Sequence, residues 1–436
     1  MPAGFYLVIA AQFTSALADN ALLIVAIARL QEMGMPGWWA PLLKFTFTLS
    51  YVLLAPWVGP LADAVPKARL MAWMNALKFA GVALLLYGAH PLLSFAVVGL
   101  AASAYAPAKY GLITETVSPR LLVAANGWIE VSVVCAVLLG TVTGGVLVSP
   151  GLVASDGSAA LLRGLQGLSP LLQNVTALAL PVMVVLTLYL VAGALNLGIP
   201  DSGKQYPPSW AGPRQMLRDF FAGNRLLWAD REGGLSLAVT TLFWGAGAAL
   251  QFIVLRWAQE ALNLGLDRAA FMQGVVAVGV VAGAAIAGRW IPLHRAPLVL
   301  PMGVAMGLLV PCMSAVSTLA VALPLLALIG ACAGFFVVPM NALLQDRGCR
   351  LLTAGRSIAV QGFNENLSIL CMLAGYAALT AAEVHINMLV GALGLLVALV
   401  MCLLILRQRR SSRVLGQRPA DKPQDPQAAS RPVPLN

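Results

Sequence analysis

In the stretch ALADNALLIV, residues 16–25, an aspartate and an asparagine stand side by side in an otherwise apolar run. A charge at the centre of a membrane helix costs on the order of 2.5–3.5 kcal/mol even on the lenient insertion scale. Asp19 and Asn20 are therefore read first as functional positions. Other polar groups interrupt apolar runs in the same way: Lys109 just after Pro107, Glu130 with Asn126, and the cluster Gln361, Asn364, Glu365 and Asn366. A carboxylate so placed can hold a proton or a cation, and an ammonium can hold an anion. Each position also has a purely structural reading. Lys109 can snorkel to an interface, Glu130 and Glu365 can be structural acids at their helix starts, and Asn20 can hydrogen-bond across helices beside a paired or protonated Asp19.

The elements that must position these groups follow from composition. Of 436 residues 60% are hydrophobic and 10% charged, against about 25% charged in an ordinary soluble domain. This is the composition of a polytopic membrane protein. A bilayer core of about 30 Å needs roughly 20 helical residues per crossing. Apolar runs of that length, separated by Gly, Pro and charged clusters, predict twelve spans: 5–29, 41–62, 70–89, 92–114, 122–148, 172–199, 236–261, 270–291, 297–318, 320–344, 356–382 and 386–407. The fold class expected is all-α, with two pseudo-symmetric six-helix bundles. The ALA before Asp19 resembles a signal-peptidase site, but no basic residue precedes it and the apolar run continues beyond it, so an uncleaved first span is expected.

Basic residues set the orientation. With the N-terminus inside, the even-numbered connections hold Lys67, Arg69, Arg120, Lys204, Arg214, Arg218, Arg225, Arg231, Arg289, Arg295, Arg347, Arg350 and Arg356, and the tail adds Arg407, Arg409, Arg410, Arg413, Arg418, Lys422 and Arg431. The opposite face has Arg29, Lys44, Arg163, Arg256 and Arg268. Both termini are expected to be cytoplasmic. The charge of +10 is accounted for by those loops and implies no nucleic-acid partner. The domain expectation is a first bundle over 1–200, a cytoplasmic linker over 201–234, a second bundle over 235–407 and a polar, Pro-rich, disordered tail over 408–436. The linker places Arg214, Arg218 and Arg225 among Leu217, Phe220, Phe221 and Trp228, which suits an amphipathic helix on the inner leaflet. The halves resemble each other: GWIE at 127–130 matches GFNE at 362–365, and Pro107 matches Pro339, at offsets near 232 to 235 residues. A duplicated unit of this kind forms substrate sites between its halves near the midplane.

The second-to-third connection reads GPLADAVPKAR, residues 59–69. It resembles the loop motif of the major facilitator superfamily: Gly59, Leu61, Asp63, Lys67 and Arg69 match, and Pro66 stands where that family has a second glycine. The implied role is a gate in which Asp63 lodges against the positive N-terminal end of the eleventh helix, with Lys67 and Arg69 in cytoplasmic water. More specifically, AQFTSALADNALL, AYAPAKYG, TLFWGAG, FFVVPMNALLQDRG and AVQGFNEN, spread over about residues 8–405, resemble the bacterial lysophospholipid transporter family of that superfamily.

That resemblance implies inward flipping of lysophosphatidylethanolamine and lysophosphatidylglycerol across a bacterial inner membrane, where an acyltransferase/acyl-carrier-protein synthetase reacylates them. It also implies no enzymatic activity and no cofactor. A one-chain phospholipid needs a polar half-cavity for its head and an apolar opening for its tail. Asp19 and Asn20 lie roughly 21 Å into the first helix, near or just past the midplane. By the pseudo-symmetry the first helix faces the seventh, so the head would meet Asp19, Asn20, Gln251 and Arg256, with Lys109 towards the cytoplasm and Glu130, Gln361 and Glu365 completing the set. The family tends to carry a basic residue where this chain has Gln251. Asp346 and Arg347, in the QDRG end of the tenth helix, are placed with the gate.

Other classes fit less well. Six scattered cysteines lack metal-ligand spacing, so neither a metal site nor a disulfide framework is expected. His90, His294 and His385 have no Asp four residues on, which argues against a lipid acyltransferase, and no GxxxxGK[ST] stretch supports nucleotide hydrolysis. The alternative on the same fold is a proton-coupled transporter of another small amphipathic solute, with Asp19 or Glu365 as proton carrier.

Overall fold

A computed structural model of the chain describes residues 3–35, 39–168, 177–204, 206, 212–264 and 266–416. Helices account for most of them, and there is no strand among the described residues. The long helices are α1 (Ala3–Glu32), α2 (Trp39–Ala64), α3 (Lys67–Leu86), α4 (Pro91–Thr116), α5 (Leu122–Leu147), α6 (Ala179–Leu197), α7 (Arg231–Ala261), α8 (Leu266–Trp290), α9 (Leu300–Cys312), α10 (Leu319–Leu351), α11 (Ala354–Ala381) and α12 (Ile386–Gly416). Among the described residues eleven helical segments are long and apolar enough to cross a membrane. The long helix outside that set is α11, whose Arg356, Gln361, Asn364, Glu365 and Asn366 dilute its hydropathy. It packs against α2, α4 and α7.

Apolar contact holds each half. In the first, α1 packs on α5 and α6, and α3 on α4 and α6, around Leu22, Leu43, Val98 and Tyr189. In the second, α8 packs on α10, α9 on α12, and α7 on α11, around Trp257, Leu326, Phe336 and Met401. Another cluster joins the halves, with Leu112, Ile113 and Ile129 meeting Ala284, Ala287, Val337 and Ala342. Across the divide α2 and α4 pack on α11, and α5 packs on α8 and α10.

Several expectations are revised. The ninth span, expected as one helix over 297–318, is α9 flanked by 3-10 turns at Leu293–Val299 and Met313–Ala315; Pro297 and Pro311 interrupt the α hydrogen-bond ladder there. Two shorter helices, Pro150–Val153 and Asp156–Leu168, lie between α5 and α6. Helix α12 runs to Gly416, past the boundary expected at 408. The rest of the expected disordered tail, 417–436, lies outside the described residues. The linker forms a helix over Pro213–Ala229, and Met216, Phe220 and Leu227 are its buried side.

Candidate functional site

α1 begins, and α12 ends, on one face of the bundle, and the halves are locked together there. Asp63, in the last turn of α2, accepts hydrogen bonds from the Thr353 hydroxyl, which caps α11, and from the Gly355 amide at 2.9 Å. The carboxylate thus occupies the positive end of α11. Gly59 makes the approach possible: a Cβ there would stand 2.9 Å from the Arg356 Cα, and one on Gly355 would stand 2.6 Å from the Gly59 carbonyl oxygen. Close by, Asn126 on α5 and Gln345 on α10 exchange amide hydrogen bonds of 2.8 and 2.9 Å, both side chains buried. Nothing in the spacing marked Gln345 as a partner, since 219 residues separate the two.

Of the other residues expected at the gate, Lys67 departs from expectation. Lys67 is not in water. It is buried, 2.7 Å from Glu115 and 3.9 Å from Asp63, because Ser202 and Tyr206 fold over Glu115 and bond to it. Burial and the Glu115 carboxylate push the Tyr206 phenol above its usual range. Arg69 is exposed. Asp346 pairs with Arg350 on its own helix, and Arg347 forms two 2.9 Å bonds to Asp230, the N-cap of α7. Those bonds, with the Gly233 amide, hold Asp230 below the usual carboxylate range.

Beyond the lock lies a cavity of about 410 Å³ between the halves. Asp19, Asn20, Lys109, Gln361 and Glu365 line it. Asp19 accepts two 2.8 Å bonds from Lys78 on α3 and one of 2.7 Å from the Tyr189 hydroxyl on α6; Lys78 also donates to Ser15 at 3.0 Å. The partner expected from the seventh helix is therefore corrected: it comes from the same half. Lys78, inside the third apolar run with Asn75 three residues before it, is as costly to place as Asp19. The rule that singled out Asp19 would have found Lys78 too. Asn20 donates to its own Ala16 carbonyl.

Lys109 is buried, donates to Gln12 at 3.2 Å and lies 4.1 Å from the Tyr110 ring centre. Glu130 is buried on α5 within electrostatic reach of Lys109 but is not part of the cavity lining. Glu365 accepts from Gln361 at 2.8 Å, and Gln361 also donates to Asn341. Among the described residues no cation pairs with Glu365. Asn364 turns away from the cavity to bond Asn224 and Trp228 of the linker helix. Gln251 and Arg256 do not line the cavity: Gln251 is bonded to Gln273 on α8 and Arg256 is paired with Glu260. The residue of α7 that reaches the cavity is Trp244. The other walls are apolar, with Leu23, Phe47, Val58, Phe95, Val137, Ile358 and Ile369. No His, Cys, Asp and Glu grouping suited to a metal is found among the described residues.

A polar core under apolar walls, between two helical halves locked at one face, is the geometry of an alternating-access carrier. The model of the major facilitator superfamily matches residues 8–370. The lysophospholipid transporters LplT of Yersinia pestis (strain Pestoides F) and of Yersinia pseudotuberculosis serotype O:3 (strain YPIII) are each 40% identical over 373 residues, covering 85% of this chain and 85% of theirs. The fold matches the human organic anion transporter MFSD10 with a TM-score of 0.69 at 14% identity, over 92% of this chain and 100% of that one. It matches the E. coli fucose:proton symporter FucP with a TM-score of 0.69 at 15% identity, over 92% and 98%. The chain is a multi-pass membrane protein of the major facilitator superfamily and, within it, belongs to the lysophospholipid transporter LplT family.

Proposed function

We propose that this protein flips lysophospholipids, chiefly lysophosphatidylethanolamine and lysophosphatidylglycerol, inward across a bacterial inner membrane by alternating access. The observation that carries the reading is the 40% identity to transporters of that name over 85% of the chain, joined to a cavity with a cationic polar core and apolar walls. The face that bears the termini is the cytoplasmic one on the charge asymmetry of the loops. The Asp63 and Asn126–Gln345 contacts then close the inner side, leaving the cavity on the outer one.

Within the cavity the phosphate belongs at Lys109 and an ethanolamine ammonium at Glu365. Asp19 is a poor ammonium site, since Lys78 already occupies both its oxygens. The acyl chain lies along Phe47, Phe95, Val137 and Ile369. An acyltransferase/acyl-carrier-protein synthetase that restores the second chain is the proposed functional partner. A second reading, proton-coupled transport of another amphipathic solute, is favoured by one observation: Glu365 lines the cavity with no cation beside it among the described residues. Uptake of labelled lysophosphatidylethanolamine into spheroplasts, with and without an uncoupler, separates the two. Uptake that persists in the uncoupler supports the flippase; collapse of uptake in the uncoupler supports proton coupling, and no uptake by the wild type overturns the lysophospholipid assignment.

A further inference from the structure

Three lysines line the cavity: Lys44 on α2, Lys78 on α3 and Lys109 on α4. They differ in what they already hold. Lys78 is bonded to Asp19 and Ser15, and Lys109 is bonded to Gln12 with Glu130 in electrostatic reach. Lys44 has no ion pair and no hydrogen bond among the described residues. Phe47 and Thr48, three and four residues further along its own helix, line the same cavity, as do Asn20 and Leu23 on α1 and Phe95 on α4. Of the two carboxylates in that wall, Asp19 is engaged by Lys78 and Tyr189, and Glu365 accepts from Gln361.

The three lysines also stand at different depths. Lys44 is five residues from the start of α2, at the end remote from the termini and the lock. Lys109 is seven residues from the other end of its helix. At 1.5 Å per residue each lies within about 11 Å of the opposite ends of their helices. An exposed ammonium with no ion pair among the described residues attracts anions without first having to break a pair. Beside it the Phe47 and Phe95 rings, 5.5 Å between centres, supply an apolar surface at the same level. A cation next to an aromatic wall suits an amphiphile with an anionic head and one chain.

We propose that Lys44 is an anion-recruitment site at the outer mouth of the cavity, which holds the phosphate of an incoming lysophospholipid before the head passes inward to Lys109. This rests on the transport reading above. Its bland counterpart is a lysine that merely anchors α2 at the membrane interface.

The test is uptake of labelled lysophosphatidylglycerol by wild type, Lys44→Gln, Lys44→Glu and Lys44→Arg, each quantified in the membrane. An exposed charge contact is worth roughly 0.2–1 kcal/mol, so Lys44→Gln should raise KM up to about fivefold at low ionic strength with Vmax unchanged. Lys44→Glu should raise it further, and Lys44→Arg should keep the wild-type value. Added salt should shrink the difference between wild type and Lys44→Gln, because the site acts through an exposed charge. Lys44→Cys allows the charge to be restored in the assembled protein. Aminoethyl methanethiosulfonate should recover the low KM and the sulfonatoethyl reagent should not, with the unmodified lysine protein as control for the native cysteines. Glycerophosphoglycerol, the same phosphodiester without a chain, should compete weakly; competition equal to that of the lipid would make Lys44 a site for free phosphodiesters and overturn the lipid assignment. A KM unchanged in both Lys44→Gln and Lys44→Glu, with the wild type active, would overturn the proposal alone. A wild type that takes up no lysophospholipid would overturn the transport reading and this one with it.

Discussion

Removing Lys78 while leaving Asp19 is the perturbation whose energetics the structure defines best. The Lys78 and Asp19 side chains are 2% and 18% exposed, so the pair is largely desolvated. At 2.8 Å and an effective dielectric of about 20, two unit charges attract by about 6 kcal/mol, most of which offsets what was lost on leaving water. Taking away one partner strands the other: Lys78→Met leaves the carboxylate with the Tyr189 hydroxyl alone, and such stranding costs about 3–5 kcal/mol. Replacing both partners removes the stranded charge, so Lys78→Met with Asp19→Asn should recover most of that loss. The assay is a double-mutant cycle on the unfolding of purified protein in detergent, titrated with denaturant and followed by tryptophan fluorescence, with uptake measured in parallel. The expected coupling is about 3 kcal/mol, well outside the roughly 0.5 kcal/mol scatter of independent sites. Additive losses would show that the pair contributes nothing and that Asp19 is free to meet a substrate ammonium, against the assignment of that role to Glu365.

Cysteine labelling should reach positions near Gly157 from outside and those near Gly203 only from inside; the reverse would invert the orientation. Asp63→Asn should weaken the inside-closed lock and lower uptake several-fold without loss of expression, and Gln345→Ala should expose a cysteine near Asn126 to cytoplasmic reagents more often than in wild type; unchanged kinetics and accessibility would make both contacts incidental. Glu365→Gln should reduce uptake of lysophosphatidylethanolamine more than of lysophosphatidylglycerol, and Lys109→Ala should reduce both, so equal loss in Glu365→Gln would remove it from the head site. Asp230→Ala should cost about 1 kcal/mol through the lost N-cap of α7. Because Asp230 is held below its ordinary range, its contribution is complete above the usual carboxylate range and disappears as pH falls through the lowered value. The stability gap between variant and wild type should therefore close in acid.

Composition and run length were enough to make this a multi-pass helical membrane protein, because in a chain with 10% charged and 60% hydrophobic residues apolar runs of about 20 residues satisfy their backbone in lipid as helices. The resemblance of GPLADAVPKAR to the major facilitator loop motif implied Asp63 against the start of α11, and there the carboxylate meets the positive end of a capped helix. The cost of burying charge was enough to pick out Asp19, Lys109 and Glu365 as positions lining an interior.

What those patterns lacked was rotation and pairing. Hydropathy reports how apolar a span is, not which side of it faces the cavity, so Gln251 and Asn364 looked like cavity ligands. Packing turned Gln251 to Gln273 and Asn364 to the linker helix. Likewise the partners of Asp19 lie 59 and 170 residues away, and those of Asn126 219 residues away. No local period carries such distances. They arise when apolar faces pack α1 against α6, α3 against α6 and α5 against α10, and the polar groups carried on those helices then pair because a buried donor or acceptor left alone is more costly than one that is matched.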